Sequence, residues 1–384
     1  MAAFRITARP HSWRHLGGFR NGGFIQLTLT IGINDHFHES ATALNTDSGR
    51  VNDPEVISPA EVSEAAATRE RLVIQFSHPA AYSPELLQNL NEACRLTGGR
   101  VQVRFYGHYG ARFDAAVLRH LPEVQNLAVD CLQRIENEDE IGKLPKLESL
   151  SFGVFELDRP DFLSSLNLRQ LTRLTLSETR KRNIDLAPLG RCPLLTELLV
   201  NGHAKGIAAI ASLPTLRKLT LSAFAKSNGL GFIATMPSLV ALTLILGGRQ
   251  NLEDLASTTV QMLQILRVRG VDTLGDLSRF PVMTALRVED QLQITELNLS
   301  GANLERLWLY NCKNLSSLHG LDRQEQLREF FASRVALDMD ALRDREWPPS
   351  ATSVQLFSGS KKWNDAARNH LAARGLNGKN SYWP

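Results

Sequence analysis

Cysteine is scarce and scattered in this chain of 384 residues. The four, Cys94, Cys131, Cys192 and Cys312, stand far apart and form no C-x-x-C pair. That spacing excludes a zinc knuckle or a dithiol redox motif and fits a reduced setting, although an even count leaves disulfides open. Lysine is sparse too, 10 residues against 33 arginines, with none before Lys143. Net charge is only +3, too small by itself to mark a nucleic-acid protein. No run of 18 apolar residues occurs, so no membrane span is predicted. The nearest stretch, FIQLTLTIGI (24–33), carries Gln26 and two threonines and lacks a small-residue cleavage site soon after it, so it reads poorly as a secretory signal. Residues 1–34 hold Arg5, Arg9, Arg14 and Arg20 and no acid. A transit peptide, a disordered tail and a misassigned start codon all fit that composition.

Catalytic signatures are equally thin. Asp35, His36, His38 and Glu39 in DHFHES could place two imidazoles on one side of a strand, but no further ligand cluster follows. GHYG (107–110) and LGGF (16–19) read as turns, since neither continues into a phosphate-binding glycine motif. No cofactor or metal is predicted, and the chain reads as non-enzymatic. An enzyme with an unrecognised site within residues 1–120 is the competing class.

What the chain has in quantity is regularly spaced leucine. The central leucine of successive L-x-x-L-x-L units falls at Leu127, Leu150, Leu174, Leu198, Leu219, Leu242, Leu266, Leu286 and Leu307, then Phe330 and Val354. The steps run from 20 to 24 residues. Pro122, Pro145, Pro193, Pro214, Pro237 and Pro281 each lie five residues before their central leucine, behind an apolar residue or Cys. Proline stops a helix and biases the preceding residue to extended geometry, so it punctuates each passage from a convex-side helix into the next strand. With apolar residues at 43% and charged residues at 22%, most of the chain is expected to fold.

From about 121 to 358 the chain resembles a leucine-rich-repeat protein, and NIDLAPLGRCPLLTELLV (183–200) is similar to the bacterial internalin type. The resemblance implies an α/β fold: a curved horseshoe solenoid of about 11 coils with a parallel sheet on its concave side, used to bind other molecules. One departure is plain. The asparagine such repeats often carry three residues past the last strand leucine is replaced by Leu132, Phe155, Thr179, His203, Phe224, Gly247, Val271, Gln291 and Cys312. A second L-x-L at Leu297 and Leu299 reads as an extended convex segment inside one repeat.

The ends of such an array need covers. Residues 71–120 read as an α/β cap. It comprises a strand at RLVIQF, a helix over 83–99 started by Ser83 and Pro84 and stopped by Gly98, a strand at RVQVRFYG, and a helix at FDAAVLRHL. Residues 1–70 read as tail and linker, and 359–384 as a capping helix, KKWNDAARNHLAARG, and tail.

Alternation along the strands sends leucines inward and the residues between them to the concave face. One column then runs Ala128, Ser151, Thr175, Leu199, Thr220, Thr243, Arg267, Arg287, Trp308, Phe331, Gln355. The next runs Asp130, Gly153, Ser177, Asn201, Ser222, Ile245, Arg269, Glu289, Tyr310, Ser333, Phe357. The first coils show small or neutral groups; the last show Arg, Trp, Tyr and Phe. Arg267, Arg269, Arg287, Glu289, Arg306, Trp308, Tyr310 and Phe331 are therefore the candidate partner-binding residues. In this reading Arg267 and Arg287 are neighbours on strands about 4.8 Å apart and repel by roughly 1 kcal/mol, which an acidic protein or peptide would relieve. Plainer alternatives stand beside it. Arg269 and Glu289 could pair with each other, Phe357 could be a capping contact, and the chain's own C-terminal segment could pack on Trp308 and Phe331. Expected partners are thus proteins or peptides, with no nucleic acid and no membrane. The expected setting is bacterial and cytoplasmic, with a secreted effector as the alternative.

Overall fold

The computed structural model describes residues 49–381 and Trp383. Residues 1–48 of the expected 1–70 tail and linker, with the Asp35–Glu39 cluster and the arginines of the first 34 residues, lie outside the described residues. The dominant feature is one parallel sheet of 14 strands whose spatial order is the order of the chain. We number them β1 (Arg50–Asn52), β2 (Leu72–Phe76), β3 (Val101–Gly107), β4 (Asn126–Leu132), β5 (Ser149–Val154), β6 (Arg173–Leu176), β7 (Glu197–Asn201), β8 (Lys218–Ser222), β9 (Ala241–Ile245), β10 (Met262–Leu266), β11 (Ala285–Glu289), β12 (Arg306–Tyr310), β13 (Glu329–Ser333) and β14 (Ser353–Phe357). Strictly sequential parallel neighbours with a short return between them are the signature of a solenoid. The structure is a leucine-rich-repeat solenoid.

Each coil is built the same way. The alternating apolar residues of a strand, such as Leu307 and Leu309 of β12, point away from the open sheet face and are buried. The chain then returns through short 3-10 turns rather than the convex helices that the prolines suggested, for example Ala187–Arg191 and Ile207–Ser212. The residues before the six prolines are all buried: Leu121, Leu144, Cys192, Leu213, Met236 and Phe280. Leu144, Leu213 and Met236 have ψ of 115°, 119° and 113°, the extended geometry that a following proline favours. One continuous core runs the length of the array, with Phe152 and Phe162 stacked inside it at 3.9 Å between centroids. Full burial of one such leucine is worth about 1.5–3 kcal/mol relative to leaving it exposed.

A turn residue in the left-handed region follows most of the later strands. Ala223, Leu246, Arg267, Asp290, Asn311 and Arg334 have φ between 52° and 60°, and Gly202 takes the same place after β7. The second L-x-L does form an extended segment within its repeat, Glu296–Asn298, paired in parallel with Ser317–His319. Some of the missing asparagines have local substitutes. At the fourth position, the buried His203 ring accepts from the Ile184 amide at Nδ1 (3.2 Å) and, as the Nε2–H tautomer, donates to the Ser177 carbonyl (2.9 Å). Gln291 donates to the Glu289 carbonyl, and the Cys312 thiol lies against the carbonyls of Val288 and Tyr310.

The N-terminal cap joins the sheet through β1, β2 and β3. Residues 49–70, read from their polar composition as linker, hold β1 and helix α1 (Pro59–Ala67), capped by Ser58. Only Val51, Ile57, Val62 and Ala66 of this stretch are deeply buried apolar groups, too few to raise a hydrophobic signal. Helix α2 (Pro84–Thr97) starts at Ser83 and ends at Gly98 (φ 59°), and buries Leu87, Leu90 and Cys94. FDAAVLRHL is a two-residue strand and a 3-10 segment instead of a helix. At the far end, helix α3 (Met339–Asp344) and helix α4 (Lys361–Ala373) pack beside β14, with Ala367 and Leu371 of α4 buried. The chain then runs antiparallel along the outer edge of β14. Val354 N–H donates to the Leu376 carbonyl at 3.0 Å, and Gly378 N–H to the Thr352 carbonyl at 2.8 Å. This pairing closes an edge that would otherwise offer unpaired backbone groups.

Candidate binding face on the concave sheet

The open face of the sheet displays three columns of side chains, and the hydrogen-bond register decides their membership. The central one runs Asn52, Gln75, Arg104, Ala128, Ser151, Thr175, Leu199, Thr220, Thr243, Gln264, Arg287, Trp308, Phe331, Gln355. Gln264 stands where Arg267 was expected. The segment MLQILRVRG offers two L-x-L readings, and the ladder selects Leu263 and Ile265 over Leu266 and Val268. Arg267 and Arg269 consequently leave the face and lie beyond the end of β10.

The consequence for charge is direct. Arg267 occupies the left-handed turn position in line with Asp290. It donates to that carboxylate from Nε (3.0 Å) and Nη2 (2.8 Å), while Asn311 donates to the other oxygen. Arg287 pairs with Glu289 two residues along its own strand, at 2.6 Å. Arg267 and Arg287 are therefore not a repelling pair, and Glu289 does not pair with Arg269. Arg269 is exposed and, among the described residues, makes no ion pair.

The N-terminal part of the face is closed by its own side chains. Arg104 is 8% exposed although it sits on the open face. Its Nε donates to Asp130 at 2.7 Å, its Nη1 to Gln75 at 3.1 Å, and its guanidinium lies 4.7 Å from the Tyr106 ring centre. Ser151 donates to the second Asp130 oxygen at 3.3 Å. Beside it, His108 is buried, its Nδ1–H directed at the Tyr106 carbonyl (2.8 Å), and it accepts from the Tyr82 hydroxyl (3.0 Å) at Nε2. Burial, with Asp114 nearby, pushes that tyrosine up to about 12, so it stays a donor. Every strong group here has a partner.

The C-terminal part is different. Trp308 and Phe331, neighbours on β12 and β13, stack face to face with centroids 3.6 Å apart and 5° between planes. Phe357 and Tyr310 lie 5.6 Å and 6.5 Å from Phe331. The Arg287 guanidinium lies 5.6 Å from the Trp308 ring, as their adjacency in the column suggested, and Arg334 lies 5.7 Å from Tyr310. All four aromatic rings are half-buried. The Trp308 Nε1–H is covered and has no acceptor among the described residues. A buried donor left unmet costs about 1–3 kcal/mol.

Part of that cover comes from the chain's own C-terminal segment, one of the alternatives raised by the sequence. Ser381 donates to the Glu329 carboxylate from its backbone N–H (2.9 Å) and from its hydroxyl. Trp383 is 9% exposed, meets Trp308 edge to face at 6.5 Å and 67°, and carries the Arg306 guanidinium 4.7 Å from its ring centre. Glu329, Ser381 and Trp383 escaped the sequence reading because contacts across 52 residues of chain leave no periodic trace. The adjacent polar-aromatic composition of NSYWP was the only available hint.

Acid-base chemistry finds little here. Burial pushes the thiols of Cys131, Cys192 and Cys312 up to about 11 and that of Cys94 up to about 12, so none is a thiolate near neutrality. Among the described residues no group of three or more His, Cys, Asp or Glu is placed to hold a metal ion. No helix among them is long and apolar enough to cross a membrane.

No protein-family model matches the sequence, and no curated protein does. Solved structures of similar build include an internalin from Listeria monocytogenes, at 18% identity over 80% of this chain and 79% of that one, TM-score 0.39. A leucine-rich-repeat protein from Leptospira interrogans matches at 15% identity over 77% and 92%, TM-score 0.37. The leucine-rich-repeat domain of the type III effector XopL matches at 18% over 78% and 88%, TM-score 0.30. These likenesses are too loose to carry a function, and the assignment rests on the coils themselves. With eleven strands from β4 to β14 in one sequential parallel ladder, each turning alternate apolar residues into one continuous core, the chain folds as a leucine-rich-repeat solenoid.

Proposed function

We propose that this solenoid is a non-enzymatic binding protein that takes a protein or peptide on the C-terminal half of its concave face. The observation that carries the reading is the Trp308–Phe331 stack on an open sheet face, with the indole N–H covered and unmet. Folding the coil requires only the inward leucines. Large rigid aromatics with arginines beside them are what interfaces use as anchors, and truncating a true anchor costs roughly 2 kcal/mol or more.

An acidic partner remains our reading, on different grounds from the sequence. Repulsion between Arg267 and Arg287 no longer supports it, since each has a carboxylate. What supports it is the rim: among the described residues the exposed Arg269 forms no ion pair, and the exposed Arg334 lies over the Tyr310 ring without one. A carboxylate could meet these guanidiniums without displacing an existing ion pair.

The test exchanges Trp308 and Arg287 for Ala, together and singly, in a chain whose fold is checked by circular dichroism. Quantitative pull-down from lysate should lose its specific bands with the double variant. Unchanged capture with an intact fold removes these residues from the account. Whether the protein acts as a resident scaffold or as a secreted effector is tested by a secretion assay on residues 1–70. A metal and activity screen of residues 1–120 within the full chain tests the enzyme alternative.

A further inference from the structure

We infer that the seat beside Trp308 takes an extended segment with a hydroxyl residue two positions before an aromatic ring, and that Ser381 and Trp383 of the chain's own tail are its resident, displaceable occupant. This rests on the partner-binding reading of the face and adds what kind of segment the face accepts.

The tail has two jobs, and they separate in space. Residues 376–378 pair along β14 and cap the sheet edge, which is a structural task. Beyond Gly378 there is no edge left to cover. The chain nonetheless turns onto the open face and follows the column formed by the first residues of β14, β13 and β12. Ser353 Oγ lies 2.7 Å from both the Gly378 carbonyl and Asn380 Oδ1. Glu329 accepts from Ser381 twice. Trp383 then settles beside Trp308 in an edge contact, with the guanidinium of Arg306 over its ring.

Each contact defines a chemical requirement. Glu329 asks for a backbone N–H and a hydroxyl from the same residue. Trp308 and Arg306 together ask for an aromatic ring, one through its quadrupole and the other through its charge. Ser381 and Trp383, which meet these two requirements, stand two positions apart in the chain, and that sets the spacing. The fit of the resident occupant is incomplete, because the indole N–H groups of Trp308 and Trp383 are both covered without an acceptor among the described residues. Most buried side-chain donors in folded proteins have a partner. A segment that kept the hydroxyl and the ring and also presented an acceptor to Trp308 would fit better than the tail, and would displace it.

The experiment uses the full chain and a chain ending at Asn380, which retains the edge pairing and the Ser353 contacts. The probe is a fluorescein-labelled peptide of residues 378–384, read by anisotropy. The shortened chain should bind it saturably. The full chain should bind it at least about tenfold more weakly, because a tethered tail competes at an effective concentration on the order of millimolar. Trp383→Ala in the full chain should restore binding, and Trp308→Ala in the shortened chain should abolish it. Absence of binding to the shortened chain, or equal binding to both chains, overturns the inference. A full-length dimer that Trp383→Ala dissolves would place the tail on a second copy and also overturn it. The two readings remain distinguishable. Peptide binding that needs Trp308, with lysate capture that does not, keeps the seat and removes the partner. The converse removes the seat's preference for this segment and keeps the partner.

Discussion

The two halves of the concave face use the same strands and the same alternation, yet one is finished and the other is not. Around Arg104 the open face is filled by a guanidinium that meets Asp130, Gln75 and Tyr106, with Ser151 completing the carboxylate. Around Trp308 it is filled by stacked rings whose polar edge is unmet and whose cover is a short tail. Buried polar groups that are fully satisfied specify one structure. Covered groups that are not satisfied mark a surface whose usual environment includes something else. The difference therefore assigns a structural role to the first region and a binding role to the second.

The sharpest way to break this contrast is Arg104→Met. Removing one partner of a buried ion pair leaves Asp130 uncompensated, at a cost of about 3 kcal/mol. The denaturant midpoint should drop markedly while partner capture by the folded chain is unchanged. A loss of capture without a loss of stability would merge the two regions. Trp308→Ala should do the opposite. Binding is expected to weaken by about 2 kcal/mol, roughly thirtyfold, with a stability cost nearer 1 kcal/mol from the lost ring stack. Calorimetric titration with the captured partner, beside urea unfolding, reads both.

A smaller effect concerns pH. Burial holds the imidazoles of His203 and His108 below the ordinary histidine value, so both are neutral in the folded chain where the unfolded chain would begin to take up protons. Stability from these sites is full above about pH 6.5 and is lost as pH falls from there toward the folded values. Unfolding midpoints at pH 7.5 and pH 5 should show the drop. His203→Asn, which keeps a donor and an acceptor but cannot titrate, should shrink it. An unchanged drop would leave His203 without that role. The least effect is expected from Arg269→Ala. The side chain is exposed and has no ion pair among the described residues, so stability should move by less than about 0.5 kcal/mol. Its influence should instead appear as a slower, less salt-sensitive association with an acidic partner. Association rates at two ionic strengths measure it.

The repeat was legible in the sequence because burial is periodic. Leucines must return to the core once per coil, and prolines must stop each turn, so both leave regular marks. Those marks carried the strand positions and the extended Leu297 segment. They failed at MLQILRVRG, where two apolar pairs satisfy the same spacing. The site was legible in part, as Arg287, Trp308, Tyr310 and Phe331 do share the face, while Arg267 and Arg269 do not. The cap helix α1 was missed because four buried apolar residues in a polar stretch make no pattern.

By itself, then, the sequence determined which residues alternate between core and face, and so the existence of an aromatic surface at the late coils. Tertiary structure alone decided the register of β10, the neutralisation of Arg267 and Arg287, and the arrival of the tail on Trp308. The physical reason is range. Alternation and coil length are local properties repeated along the chain, whereas ladder hydrogen bonds, ion pairs between coils and a contact across 52 residues are set by which segments meet in space.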